Sequence, residues 1–260
     1  MNIMLLTDLE GIAGVDNIGQ MDRTSQIYKN TCDLLCKSIN LAVDTCFKHG
    51  AEKVYYLDGH GGGGNVNEEL IDNRATKCSI TEWVDLLKSG GIDCQIELGS
   101  HARAGTIGGF LDHTISSKSI FSIKINGVEM SELSLHALLA SRYNVPIAAV
   151  IGDETACKQA KEYIHNIITG AVKKAYCRNE AITYLNCDEI LVQTVVSALE
   201  NYKKVSLYKL SLPLNVEQTY YRTDMCEKEF EKHKDVAQRV GARTLRKTVK
   251  SIEKYQDLKF

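Results

Sequence analysis

The 260-residue chain predicts an α/β fold with a mostly parallel central sheet flanked by helices and at least one β-hairpin. Three features predict it. Short apolar runs alternate with longer segments of helical period, the pattern of strands joined by crossover helices. Apolar content of 44% and charged content of 25% are those of a globular protein that can bury a full core at this length. An Asn-Gly pair between two apolar stretches marks the hairpin. With only two prolines and no repeat or Ser/Pro-rich linker, one chain-long unit, 1–260, is expected. A split into two lobes near residue 150, about 1–150 with the polar site and about 151–260, is the alternative.

Strands and helices alternate along the chain. Residues 2–6 are an apolar strand running into TDLEG. Segment 25–49 carries Ile27, Leu34, Leu35, Ile39, Val43 and Phe47 at helical spacing, with Gly50 as its stop. Residues 54–57 form a second buried strand that ends in DGHGGGGN. Ser79 and Glu82 have capping-box spacing ahead of a helix with Trp83, Leu86 and Leu87, closed by Gly90 and Gly91. Residues 92–98 are a third strand, ending in GSHARAG. Residues 119–130 (SIFSIKINGVEM) read as a hairpin about Asn126-Gly127. Ser131 then caps a helix reaching 143. Residues 146–154 (PIAAVIGDE) are a buried strand before a helix near 155–165. A strand near 168–176 and a helix at 188–202 come next. Within 208–218, Leu210, Leu212, Leu214 and Val216 alternate with polar residues, as in a strand. From about 227 the charged tail reads as a helix with a solvated face.

A formal net charge of -2 gives no basic footprint for nucleic acid. No apolar run approaches the roughly 18 residues of a membrane helix. The opening apolar stretch is too short for a secretory signal and ends in Asp8 and Glu10. The nine cysteines have no CxxC pair and no regular framework, so neither a thiolate zinc knuckle nor a disulfide scaffold is expected. Together these point to a reduced, cytoplasmic protein.

Polar residues gather where the expected strands end, the place where open α/β sheets hold ligands. Asp8 and Glu10, two apart in an extended segment, point the same way. His60 follows Asp58; His101 follows the third strand; His113 follows Asp112; Glu132 has Glu129 and His136 nearby; Asp153 and Glu154 end another strand. Histidines and carboxylates at successive strand ends make a ligand set for a borderline cation such as zinc. Paired carboxylates can also bridge two ions about 3.5–4 Å apart. Taken singly, each residue has a structural reading as well. A strand-end histidine can be a satisfied core residue, Asp8 or Glu10 a cap or an ion-pair partner, and Glu132, Asp153 and Glu154 first-turn acids. GHGGGG exposes backbone N–H groups as a phosphate cradle does. It lacks the GK[ST] ending, so a loop beside a ligand is the better reading. No GxSxG elbow is present.

In this order the residues resemble the zinc D-aminopeptidases of the DppA type, a family named for its dipeptide-transport operon. Its D-x-E-G-I-x-G opening is Asp8 to Gly14 here, and its D-x-H is Asp58 to His60. G-x-H-A-R-A is Gly99 to Ala104, followed by His113. I-N-x-x-x-x-G/S-E-L runs from Ile125 to Leu133, and the V-x-G-D and A-V-K elements are Val150 to Asp153 and Ala171 to Lys173. The resemblance implies two zinc ions (Zn2+) per chain, held by Asp8, Glu10, His60, His101 and Glu132 with Asp8 bridging, and His113 as the catalytic residue. It implies release of an N-terminal D-amino acid from a short peptide through a metal-bridging hydroxide, in a ring-like homo-oligomer. A metal-dependent amidohydrolase of another small amide, or a non-catalytic peptide-binding protein, stands as the alternative. The chain departs from the family at the four glycines after His60, at His136, where an Asn is common, and beyond about residue 200. These departures touch the substrate pocket and leave the ligand set whole.

Overall fold

The computed structural model describes residues 1–260 as two sheets and six helices. The strands are β1 (Asn2–Thr7), β2 (Lys53–Asp58), β3 (Ala75–Lys77), β4 (Cys94–Ser100), β5 (Ile120–Ile125), β6 (Val128–Glu129), β7 (Ile147–Asp153), β8 (Ile168–Cys177), β9 (Glu180–Thr183), β10 (Leu214–Tyr220), β11 (Gln238–Arg239) and β12 (Thr244–Val249). The helices are α1 (Gln26–Lys48), α2 (Ile80–Ser89), α3 (Glu132–Arg142), α4 (Glu154–Tyr163), α5 (Cys187–Asn201) and α6 (Thr223–Lys232).

The larger sheet has the order β3-β2-β1-β4-β7-β8-β9, parallel except for β9. Its central strands β1, β4 and β7 are buried on both faces, as parallel sheets require. In β1, Ile3 and Leu5 face the α1/α5 side, while Met4 and Leu6 face the core shared with α2, α3 and the second sheet. The caps lie where the sequence places them. Ser25, Ser79 and Ser131 each accept a backbone N–H of the helix they open, and Gly90 ends α2 with φ 70°. The second sheet, β11-β12-β10-β5-β6, is antiparallel. Its β5–β6 hairpin turns at Asn126 and Gly127, both with positive φ, as a type I′ turn needs. Residue 150 lies inside β7, and the second sheet takes strands from both sides of it.

Two segments differ from expectation. The strand expected within 208–218 begins only at Leu214. Pro213 has no N–H to give a ladder, and Tyr208 N–H donates instead to Ser141 Oγ on α3. The charged tail is helical only through Lys232. Beyond it, β12 pairs onto β10 and β11 onto β12, burying Leu245 and Val249 while Arg246 on the other face pairs with Glu217. A short 3-10 turn, Tyr255–Leu258, then returns the chain to α3. All nine cysteines are free, and no helix is long and apolar enough to cross a membrane.

Candidate metal centre

At the carboxyl ends of β1, β2 and β4 the backbone is packed closely enough to fix the path of the chain. A Cβ on Gly11 would lie 2.2 Å from the Ser100 carbonyl oxygen, and one on Gly99 (φ 89°) 2.0 Å from that of Asp8. Only glycine fits at either position. The segment after Thr7 is therefore a turn, with Leu9 N–H donating to Asp8 Oδ1 (2.8 Å) and Gly11 N–H to the Gly99 carbonyl (2.8 Å). Asp8 and Glu10 converge as expected, but across this turn and not along an extended strand.

Two groups of possible ligands result, Asp8/Glu10/His60 and His101/His113/Glu132, the ligand atoms of each lying within 4.8 Å of one another. Glu10 Oε2 is 2.9 Å from His60 Nδ1. Asp8 lies between the groups, with Oδ1 3.3 Å from His60 Nδ1 and Oδ2 3.2 Å from His101 Nε2. Glu132, the first residue of α3, places Oε1 3.4 Å from His101 Nε2 and 3.7 Å from His113 Nε2. That same oxygen accepts Ile115 N–H at 2.7 Å. The imidazoles of His101 and His113 stack with centroids 4.1 Å apart. All six residues singled out in the sequence thus meet at one point.

The tautomers say what the site is built to hold. His101 Nδ1–H donates to the Ala102 carbonyl (3.0 Å) and His113 Nδ1–H to that of Leu111 (2.8 Å). Each Nε2 lone pair therefore faces carboxylate oxygens, and His101 Nε2 is buried without a hydrogen-bond partner. Lone pair against lone pair is tolerable only with positive charge between them. The field is strong. Burial pulls His60 down, yet Asp8 and Glu10 push it up to about 10. His101 is likewise lifted well above the usual imidazole range against its burial, by Asp8 and Glu132. Burial would raise Glu132, but His101 and then His113 hold it near about 2, and Asp8 is held well below its ordinary value against burial by His101 and His60. Imidazole and carboxylate donors in this number suit divalent zinc.

A family model described as D-aminopeptidase (Peptidase_M55) matches residues 1–258. The chain belongs to the D-aminopeptidase family. It is accordingly a hydrolase, and the resemblance read from its motifs is borne out. A D-aminopeptidase of Bacillus subtilis (strain 168) is 29% identical over 217 residues, covering 79% of this chain and 76% of the relative. Among solved structures, the Zn-dependent D-aminopeptidase DppA from Bacillus subtilis, described as a self-compartmentalizing protease, superposes with a TM-score of 0.90. That match covers 99% of this chain and 95% of the neighbour at 24% identity, a likeness of fold.

Other polar residues singled out in the sequence turn out to be supports. Asp58 accepts the N–H groups of Asn65 (2.7 Å) and Val66 (3.2 Å), closing the glycine loop after His60. Asp112 accepts Gly105 N–H, and Asp153 caps α4 while accepting Phe110 N–H. Glu129 pairs with Arg103 and Lys124 near the surface, and Glu154 with Lys158. His136 donates to Glu97 Oε2 (3.1 Å). Sequence reasoning missed Glu97, Tyr255 and Lys259, which border the site. It also missed the role of Lys173, a fully buried lysine that donates to the carbonyls of Glu10 (2.6 Å) and Val15. A lysine in the apolar run of β8 was the available signal for the last. No local pattern marks the others.

Proposed function

We propose that the protein is a dizinc aminopeptidase that releases an N-terminal D-amino acid from short peptides. The observation that carries this reading is the Asp8 carboxylate, which turns one oxygen toward His60 and the other toward His101. A carboxylate so placed would serve two ions, one held by Asp8, Glu10 and His60 and the other by Asp8, His101 and Glu132. Zinc, when bound, lowers the pKa of its water toward 7 and polarises a carbonyl.

The remaining work falls to the chain. His113 has Nδ1 committed to the Leu111 carbonyl, so Nε2 is the free base on the face shared by Glu10 and Glu132. It takes a proton from the attacking water and returns it to the departing amine. The acidic cluster attracts the free ammonium of the substrate, which selects a peptide's first residue. Lys173 fixes the Glu10 backbone and so the direction of its carboxylate. Nine free cysteines accord with a reducing, cytoplasmic setting. The self-compartmentalizing neighbour supports a homo-oligomer, ring-like in form, with short peptides as the partner molecules.

Elemental analysis of protein loaded with zinc and passed through a weak chelator tests the reading, followed by a panel of D- and L-alanyl dipeptides. Two retained ions per chain and preferential cleavage of the D-series are expected. Fewer than two retained ions would overturn the dinuclear site, and cleavage of the L-series alone would overturn the chirality.

A further inference from the structure

Two spaces open from the metal centre. One, of about 830 Å3, lies on the side of His60 and His113, with Arg23, Lys118 and Arg178 at its border. The other, of about 240 Å3, begins at Asp8, His101 and Glu132 and is walled by Trp83, Leu133 and Tyr255, all three buried. An aminopeptidase must let the rest of the peptide leave, while its first residue can end in a closed space. The wide cleft suits the departing chain, with Arg23, Lys118 and Arg178 at its border to meet the terminal carboxylate. The narrow cavity suits the first side chain.

Only two buried side-chain polar atoms in the chain lack a hydrogen-bond partner, His101 Nε2 and Tyr255 Oη. The first is explained by the metal site, and the second belongs to a residue that lines the adjoining cavity. The phenol ring is held by Trp83 (centroids 6.2 Å apart) and His136 (5.2 Å), with Lys259 Nζ 5.4 Å from its centroid. Three neighbouring donors already have acceptors. Trp83 Nε1–H donates to Gln95 Oε1 (2.9 Å), Gln95 Nε2 to Glu97 Oε1 (2.7 Å), and His136 Nδ1–H to Glu97 Oε2 (3.1 Å). Burial, and then Glu132, Glu97 and Asp8, hold the phenol well above its ordinary range, so it stays a donor. An unpaired buried donor is costly until something accepts from it.

We infer that the narrow cavity receives the side chain of the substrate's first residue, and that Tyr255 Oη donates to an acceptor at the tip of that side chain, an uncharged amide such as glutamine's. The inference rests on the aminopeptidase reading. A methyl side chain would leave most of the cavity unfilled and would not reach the hydroxyl. A carboxylate tip would face the charges of Glu97 and Glu132, and a cationic tip that of Lys259. A neutral amide supplies both length and acceptor.

Trp83 is the single tryptophan and lines the cavity, so its emission reports occupancy without turnover. Zinc-loaded protein is titrated with D-glutamine and with D-norleucine, a near-isosteric apolar control, and kcat/KM is measured for the two corresponding D-aminoacyl-alanine dipeptides. D-glutamine is expected to perturb Trp83 at lower concentration, and its dipeptide to be preferred. Tyr255→Phe should lower the glutamine-to-norleucine ratio about tenfold in both readouts, the worth of one buried hydrogen bond. Ile80→Phe, which narrows the cavity from α2, should shift preference toward D-alanyl dipeptides. A ratio unmoved by Tyr255→Phe, or an equal fall for both substrates, would overturn the assignment. So would an unaltered Trp83 emission with both amino acids. Selective emission changes without cleavage of any peptide would sink the peptidase reading and leave the pocket standing.

Discussion

At the ends of β1 and β4 the backbone is packed so tightly that Gly11 and Gly99 admit no Cβ, and the ligand carboxylates and imidazoles project from that frame. The chain from 250 to 260 reaches the neighbouring cavity differently. It arrives across an antiparallel sheet and contributes side chains, Tyr255 and Lys259, from a short 3-10 turn. The contrast separates two demands. Holding metal ions needs donor atoms placed to within a fraction of an ångström, which rigid strand ends provide. Shaping a side-chain pocket needs only that a wall be filled, and many residues can do that. The candidate ligands therefore sit on the first region and the cavity wall on the second.

Changes in the first region should erase function, and Asp8 is the sharpest case. Asp8→Ala removes the one carboxylate shared by His60 and His101, so zinc content should fall below two ions per chain and peptide cleavage to the level of metal-free protein. Elemental analysis and kcat/KM check this together, and a variant that keeps both ions and turns over ends the bridging role. His113→Ala comes next. With Nε2 gone the proton has no carrier, and kcat should drop about 10²–10⁴-fold while both ions stay bound. Loss of an ion would make His113 a ligand alongside Glu132.

The same division governs how much of each region was legible. Asp8, Glu10, His60, His101, His113 and Glu132 stand at the ends of short apolar runs, and polar residues there are visible because nothing in a buried strand explains them. The caps at Ser79 and Ser131 and the turn at Asn126-Gly127 are equally local signals. Tyr255 and Lys259 depend instead on how β12 pairs with β10, a contact between segments about thirty residues apart. The adjacent charges of Arg246 and Lys247 within Thr244–Val249 masked that strand as a solvated helix. Lys173 falls between the two cases, since its place in a buried strand was readable but the carbonyls it binds were not.

Lys173→Met tests whether the first region needs its buried support. The carbonyls of Glu10 and Val15 lose their donor, and the Glu10 carboxylate loses its aim. Zinc affinity should weaken about 10–100-fold, the usual effect of removing a group that orients a ligand. Competition with a chelator measures this independently of turnover. Unaltered affinity would mean that close packing about Gly11 is enough to place Glu10.

The smallest effect belongs to the second region. Lys247 Nζ donates to the carbonyls of Gln256 (2.8 Å) and Lys259 (2.6 Å), tying down the turn that carries Tyr255. Burial lowers its pKa from 10.5 to about 8. Below that value the ammonium is charged in the folded and unfolded chain alike, and it contributes no pH dependence. Between about 8 and 10.5 the unfolded chain binds more protons, so stability rises with pH through this group. Lys247→Met lacks the effect. The wild-type advantage in urea unfolding should therefore grow by about 1 kcal/mol from pH 8 to pH 10, after discounting for partial exposure. Zinc retention should be the same in both proteins. A stability difference that stays flat would show that Lys247 keeps its proton in the folded chain, and a change in zinc retention would show that the wall and the metal centre are not separable.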